Sequence, residues 1–222
     1  MDAGFSIREA LEFGWDAFKR HAGAAVVIGV ASLLTMLVVD ALVRMAADQA
    51  GPAALLAVFA QLLQLFWSLV WIRFALAVHD LRPAPPRELL PDGKTFIEYV
   101  AASLLYSLLV AIGLVLLVIP GLYLAARYGL VSFVIAERRA GPIDAFHQSA
   151  SLTRGARWKL LLLMLLLGVL NLVGALLLGF GLLATVPLSA LAMAFVYRRL
   201  IARAEQPALA APPWRPAPPL PV

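Results

Sequence analysis

The stretch LLLLMLLLGVLNLVGALLLGF, residues 160–180, contains one polar side chain, Asn171, and no charged residue. A helix rises about 1.5 Å per residue, so this run is long enough to cross the hydrocarbon core of a bilayer, about 30 Å thick. Further apolar runs lie on its two sides. We therefore predict an all-α integral membrane protein with about six transmembrane helices, arranged as three hairpins, at about 22–46, 54–79, 98–119, 121–137, 159–180 and 182–199.

The composition supports this class. Of the 222 residues, 63% are hydrophobic and 14% are charged, and the mean hydropathy is +0.90. An average soluble domain has roughly 25% charged residues, so a soluble fold is excluded. The chain has no cysteine, which excludes disulfides and thiolate metal sites. His21, His79 and His147 are dispersed, and no pair has metal-ligand spacing on one helix. We expect neither a metal nor another cofactor.

The basic residues predict the orientation in the membrane. Lys and Arg are enriched in short cytoplasmic loops. Of the 18 Lys and Arg residues, only Arg44 lies near the predicted outer side, whereas Arg73 and Arg127 fall inside spans. The other fifteen lie on the opposite side, which we predict to be cytoplasmic together with both termini. The net charge of +5 is then explained by membrane orientation, and we expect no nucleic-acid partner. The charged start lacks the pattern of a signal peptide, so we expect it to be retained.

Three parts of the chain are predicted. Residues 1–21 form an amphipathic interfacial helix on the cytoplasmic side, residues 22–203 form the six-helix membrane domain, and residues 204–222 form a disordered, proline-rich cytoplasmic tail. The first helix, residues 7–20, has an apolar face made of Ile7, Leu11, Gly14, Trp15 and Phe18. A second interfacial helix is predicted at 142–154, because Pro142 and Asp144 favour a helix start there.

Polar residues inside predicted spans are the candidate intramembrane site, because burying them in lipid is costly. They are Gln61, Gln64 and Ser68 in the second span, Arg127 in the fourth and Asn171 in the fifth. They form either a polar path or a lipid-headgroup site with Arg127 as its anion anchor. The alternative, which we favour, is that the amides and hydroxyls bond between packed helices and that Arg127 extends to the membrane interface.

Two further patterns concern packing and catalysis. Gly168, Asn171, Ala175 and Gly179 form a stripe of small residues on the fifth span, which we predict to pack within the chain in preference to dimerisation. Glu137 and Asp144 flank a basic loop and have no partner base in the sequence pattern. Because no carboxylate or histidine cluster is predicted, we expect no catalytic residues and no enzymatic activity.

Several short motifs carry a family resemblance. They are IPG at 119–121, AR at 126–127, GPI at 141–143, SASLTRG at 149–155 and WKL at 158–160. With these motifs the chain resembles the YciC-like bacterial inner-membrane proteins, which are related to the membrane domain of some glycerophosphodiester phosphodiesterases. The resemblance implies a bacterial cytoplasmic (inner) membrane protein of uncharacterised role. The phosphodiesterase chemistry of those relatives resides in a separate soluble barrel, for which this sequence has neither the length nor the residues.

Two functions follow as hypotheses. The first is a non-enzymatic membrane protein that organises or assists lipids or other membrane proteins through its basic and amphipathic segments. The second is a small transporter or lipid translocator built around Gln61, Gln64, Arg127 and Asn171. A cavity that joins those residues favours the second hypothesis, whereas dry packing around them favours the first.

Overall fold

The structure is a computed structural model that describes residues 4–82, 85–176 and 181–209. Every regular element in these residues is an α-helix, which confirms the predicted class. In chain order the helices are α1 (Ile7–Arg20), α2 (Ala22–Met45), α3 (Ala50–His79), α4 (Pro86–Leu89), α5 (Gly93–Leu116), α6 (Val118–Tyr128), α7 (Val131–Arg138), α8 (Pro142–Leu152), α9 (Arg157–Leu176) and α10 (Leu182–Leu209).

Six segments of the described chain are long and apolar enough to cross a membrane. They are α2, α3, α5, α6 together with α7, α9, and α10 as far as Gln206. The predicted number of spans is therefore confirmed, and the chain is a multi-pass membrane protein. Some boundaries differ. The third span begins at Gly93 instead of 98, because the Asp92 carboxylate accepts a hydrogen bond from the Thr95 N–H and caps the helix.

The fourth span is interrupted. α6 ends at Tyr128 and α7 begins at Val131, so Gly129 and Leu130 separate two short helices. Pro120 lies in the first turn of α6, where its missing N–H costs nothing, and the preceding Leu117 is extended. This interruption leaves backbone groups that need other partners.

The end of the membrane domain corrects a prediction. α10 continues to Leu209, beyond the predicted end of the span at 199 and into the tail that was predicted to be disordered from 204. The reason is local, because residues 200–206, LIARAEQ, are mostly good helix formers. Residues 210–222 of that tail lie outside the described residues. The connection between α3 and α5 contains the short helix α4.

The core lies where three helices meet. Its buried residues come mainly from residues 69–78 of α3, from α7, and from residues 188–201 of α10. α2 packs on α3, α5 packs on α6, and α9 packs on α10. α1 lies against α10 through the small buried residues Ala10, Gly14 and Ala17. Phe13 of α1 stacks on Phe195 of α10, with ring centroids 5.2 Å apart.

Candidate functional site

A cavity of about 660 Å³ lies between α2, α3 and α10, and we call it the α2–α3–α10 cavity. Its size is that of a small-molecule site. The wall is mainly apolar, with Trp67, Trp71 and Ile72 from α3 and Met193 from α10, and Phe133 of α7 also contributes. Four side chains in the wall carry amide or hydroxyl groups, namely Ser32, Gln64, Ser68 and Ser189. The cavity therefore suits an apolar molecule with few polar atoms.

The three hydroxyl groups in this wall already have partners, and that of Ser189 donates to the Thr185 carbonyl at 2.7 Å. The Ser32 hydroxyl donates to the Gly29 carbonyl at 2.9 Å, and the Ser68 hydroxyl shares a hydrogen bond with the Tyr99 hydroxyl. The Trp67 indole N–H is buried and has no acceptor among the described residues. A buried donor without an acceptor is unfavourable.

The cavity brings together part of the predicted polar site. Gln64 and Ser68 line it directly. Asn171 reaches it through Ser189, because the Asn171 amide donates to the Ser189 hydroxyl at 3.0 Å. Gln61 is exposed on α3 and does not line the cavity. The structure therefore groups three of the five predicted residues.

Arg127, the fifth predicted residue, lies elsewhere. The interruption after α6 frees the Arg127 carbonyl and the Leu130 N–H, and α8 satisfies both. The Ser149 hydroxyl donates to the Arg127 carbonyl at 3.1 Å and accepts from the Leu130 N–H at 3.3 Å. The Thr153 hydroxyl donates to the same carbonyl at 3.0 Å. Ser149 and Thr153 are fully buried. Arg127 is therefore not part of the cavity, and the expected site is divided in two.

The α8 contact also gives the SASLTRG motif at 149–155 a physical role. The serine and the threonine one turn later project from the same face of α8. Together they replace the hydrogen bonds that α6 and α7 lose at their junction. Sequence reasoning recognised the motif as part of a resemblance, but it did not identify the backbone that the motif holds. The sequence contained one signal for this contact, namely a Ser and a Thr four residues apart at the end of α8 and a glycine, Gly129, within the fourth span.

Of the small-residue stripe predicted on α9, Asn171 contacts α10 through Ser189, whereas Gly168 and Ala175 do not lie at a helix contact. Gly168 and Ala175 are exposed, and no side chain or neighbouring backbone lies within 4 Å of a Cβ built on Gly168. The close approach occurs at Gly174, where such a Cβ would lie 2.6 Å from the Thr185 hydroxyl oxygen of α10. Gly168 is exposed because of the rotation of α9 about its axis. The buried face of α9 carries Leu160, Leu163, Leu167 and Gly174, and Gly168 is turned about 100° from Leu167. Gly179 lies outside the described residues.

An ion-pair cluster that sequence reasoning missed joins the ends of α3 and α7 to α10. The Arg198 guanidinium of α10 contacts the Asp80 carboxylate at 2.5 Å and also donates to Glu137. The Tyr197 hydroxyl donates to the other Glu137 oxygen at 2.6 Å. Glu137 therefore has an ion-pair partner that the sequence pattern did not indicate. We call these four residues the ion-pair cluster.

The ion-pair cluster also changes the pKa of Asp80. Burial raises the pKa of Asp80, but hydrogen bonds from His79 and Arg198 and the positive charges of Arg198 and Arg82 act more strongly in the opposite direction. The pKa of Asp80 therefore lies below its ordinary value. The cluster holds three helices together. It supplies no nucleophile or free base.

Arg73, the other arginine inside a predicted span, also has a structural partner. Its guanidinium donates to the Leu90 carbonyl at 2.7 Å and contacts the Asp92 carboxylate at 3.4 Å. Its side chain is only 11% exposed. Arg73 therefore stabilises the packing of the α3–α5 connection against the helix bundle. It is not available to a ligand in the α2–α3–α10 cavity.

Comparison with known proteins assigns a family to the C-terminal part of the chain. Residues 93–213, more than half of its length, match the family described as Domain of unknown function (DUF7847). The chain belongs to the DUF7847 family. The DUF7847 region contains α5 to α10, and with them Ser149, Glu137 and Arg198, whereas α1, α2 and α3 precede it. No curated protein and no solved structure matches the chain.

Proposed function

We propose that this protein is a non-enzymatic, lipid-assisting protein of a bacterial cytoplasmic membrane, and that it holds an acyl chain in the α2–α3–α10 cavity. The observation that carries the proposal is the cavity itself, which is lined by tryptophan, methionine and isoleucine and contains only a few amide and hydroxyl groups. Such a wall favours a long apolar chain over a charged or sugar-like solute. The wall uses α10 of the DUF7847 region and two helices that precede that region.

The predicted topology is part of the same proposal. The chain crosses the membrane as three hairpins, its termini face the cytoplasm, and α1 and α8 lie along the cytoplasmic surface. The distribution of Lys and Arg supports this orientation. The pairing of α2 with α3, α5 with α6 and α9 with α10 supports the hairpins. Membrane lipids are the primary partners, and other membrane proteins remain the second partner class.

A lipid translocator is the other hypothesis from the sequence. It requires a polar path that includes Gln61 and Arg127, but neither residue lines the cavity. The cavity wall contains one side-chain amide, Gln64, and three serine hydroxyls that already bond to the protein. Because a headgroup in transit needs many polar contacts to replace water, this wall supports holding an acyl chain better than moving a headgroup across the membrane.

Tryptophan quenching tests the proposal. Trp67 and Trp71 line the cavity, and a brominated acyl chain quenches indole fluorescence on contact. In a chain with Trp15, Trp158 and Trp214 changed to Phe, titration of brominated phosphatidylcholine into detergent-purified protein is expected to give saturable quenching. Ala190 lies in the cavity wall, so Ala190→Phe fills the space and is expected to weaken the quenching several-fold.

The matched control is Ala54→Phe, which adds the same ring to an exposed position of α3. This variant is expected to behave as the parent does. Gel filtration establishes that each variant remains folded before titration. Quenching that rises without saturation and is equal in the parent and in Ala190→Phe would contradict the proposal, because the bromine would then reach the tryptophans from bulk lipid.

A further inference from the structure

A pair of arginines without acidic partners lies where α6, α8 and α9 meet. Arg157, the first residue of α9, donates to the Tyr123 hydroxyl and to the Ala150 carbonyl at 3.3 Å. Its guanidinium carbon lies 5.0 Å from the centroid of the Tyr123 ring. This arrangement fixes the guanidinium in one orientation. Its Nε–H is buried and has no acceptor among the described residues.

Arg127 lies one helical turn from Tyr123, and the two residues therefore share a face of α6. Its backbone is held by Ser149 and Thr153, and its guanidinium carbon lies 5.2 Å from the centroid of the Tyr128 ring. The Arg127 Nε–H is also buried without an acceptor in the described part of the chain. Two half-buried guanidinium groups are thus held against tyrosine rings along α6.

Two other half-buried arginines of this protein are neutralised, whereas the half-buried Arg203 has no carboxylate partner among the described residues. Arg198 lies between Asp80 and Glu137, and Arg73 contacts Asp92. By contrast, no carboxylate of the described residues lies within 4 Å of a nitrogen of Arg127 or Arg157. A half-buried positive charge without a counter-ion is unfavourable, so these two positions are suited to an anion that comes from outside the chain.

The surroundings add to the positive potential. Arg154 and Lys159 are exposed on either side of Arg157, and the first turn of α9 contains no acidic residue. Positive side chains at a helix N-terminus oppose the helix dipole. Membrane orientation accounts for positive charge at this end of the chain. It does not require guanidinium groups that are half-buried, held on tyrosine rings and short of acceptors.

We propose that Arg127 and Arg157 form a binding site for a phosphate group, and that this phosphate belongs to the headgroup of an acidic phospholipid. Guanidinium groups bind phosphate oxygens through paired, charge-assisted hydrogen bonds. Exposed Trp158, beside Arg157, provides an aromatic side chain of the kind found at the membrane interface. This site is separate from the α2–α3–α10 cavity, and the inference does not rest on the function proposed for that cavity.

The test compares phosphatidylglycerol, phosphatidylcholine and inorganic phosphate as additives to the full chain in a neutral detergent. Retained lipid is counted by native mass spectrometry, and thermal unfolding is followed on the same preparation. We expect phosphatidylglycerol to be retained and to raise the unfolding temperature, with weaker binding at high salt. Phosphatidylcholine and inorganic phosphate are expected to have little effect.

The double variant Arg127→Gln/Arg157→Gln is expected to weaken retention of phosphatidylglycerol by about tenfold or more, since two charge-assisted contacts are lost. The matched control, Arg8→Gln/Arg87→Gln, removes the same charge from exposed positions and is expected to bind as the wild type does. If the first variant does not fold, Arg127→Lys/Arg157→Lys keeps the charge and removes the planar donor groups, and it is expected to bind more weakly than the wild type.

Three outcomes would overturn the proposal. Equal retention of phosphatidylglycerol and phosphatidylcholine by the wild type would show that the site does not recognise acidic lipid. Equal loss in the control and in the Arg127/Arg157 variants would show that only net charge matters. Full competition by inorganic phosphate would assign the site to a soluble phosphate compound and would overturn the assignment to a lipid. Each outcome leaves the quenching test of the cavity unaffected.

Discussion

The two ends of the helix bundle are built differently. At the ion-pair end, where α3, α7 and α10 carry the ion-pair cluster, nearly every residue from 69 to 78 of α3 is buried. At the opposite end, the first half of α3 and the second half of α2 expose leucine, valine and phenylalanine side chains. Lipid is as apolar as these side chains, so burying them against protein gains little.

The comparison explains where the structure places its polar contacts. At the ion-pair end, helices are joined by hydrogen bonds and charge pairs between residues far apart in the chain. At the opposite end, the Arg44–Asp40 pair lies within a single helix, with side chains 78% and 54% exposed. The free energy of unfolding should therefore depend on the contacts at the ion-pair end and hardly at all on the Arg44–Asp40 pair.

The largest effect is expected at Arg198. Arg198→Met leaves the carboxylates of Asp80 and Glu137 without their shared partner at sites only 21% and 24% exposed. Removing one member of such a buried group costs about 3 kcal/mol or more. Thermal unfolding in detergent measures the loss. Arg44→Met is the matched control, and it should cost less than about 1 kcal/mol because its pair is exposed. Equal losses would remove the distinction between the two ends.

A smaller effect is expected at Gly121, which tests whether the opposite end is loosely packed throughout. A Cβ on Gly121 of α6 would lie 2.5 Å from Leu114 Cγ and 2.6 Å from the Leu114 backbone nitrogen of α5. Gly121→Ala is therefore expected to destabilise the protein by about 1 to 3 kcal/mol through overpacking. Gly168→Ala, in open space, is the control and should be neutral or slightly stabilising, since alanine favours a helix. An equal response of both variants to heating would show that α5 and α6 are not in close contact.

The contact between α8 and the junction of α6 and α7 is expected to contribute less. Ser149→Ala removes one of the two donors to the Arg127 carbonyl and the acceptor of the Leu130 N–H. The expected loss is about 1 to 2 kcal/mol, because a buried backbone group is left without a partner. Ser107→Ala removes an exposed hydroxyl that bonds only within its own helix, and little change is expected. A stable Ser149→Ala protein would mean that another group replaces the hydroxyl.

The smallest effect concerns pH. Hydrogen bonds from the Thr95 hydroxyl and the Thr95 N–H lower the pKa of Asp92 to about 2. A lowered pKa in the folded state stabilises the protein above the unfolded pKa of about 4, and this contribution is lost as the pH falls through about 2. Thr95→Val removes the hydroxyl donor and should therefore reduce the fall in unfolding temperature between pH 4 and pH 2. An unchanged pH profile in this variant would contradict the assignment.

Local patterns determined much of this protein before any tertiary contact was considered. The number of spans followed from apolar length, and α1 begins and ends at the predicted residues, Ile7 and Arg20. α8 begins at Pro142 as predicted, because proline is favoured in the first turn. These features depend on residues close together in sequence, and they can therefore be inferred from spacing alone.

Tertiary structure alone decided which polar residues meet. Asp80 and Arg198 are separated by 118 positions, and nothing local indicates that the ends of α3, α7 and α10 converge. The rotation of α9 placed Gly174 at the helix contact and turned Gly168 outward. Arg127 lies on α6, outside the cavity that Gln64 and Ser68 line. In a span made of interchangeable leucines and valines, small differences in packing set the facing side, so the register emerges only when all helices pack together.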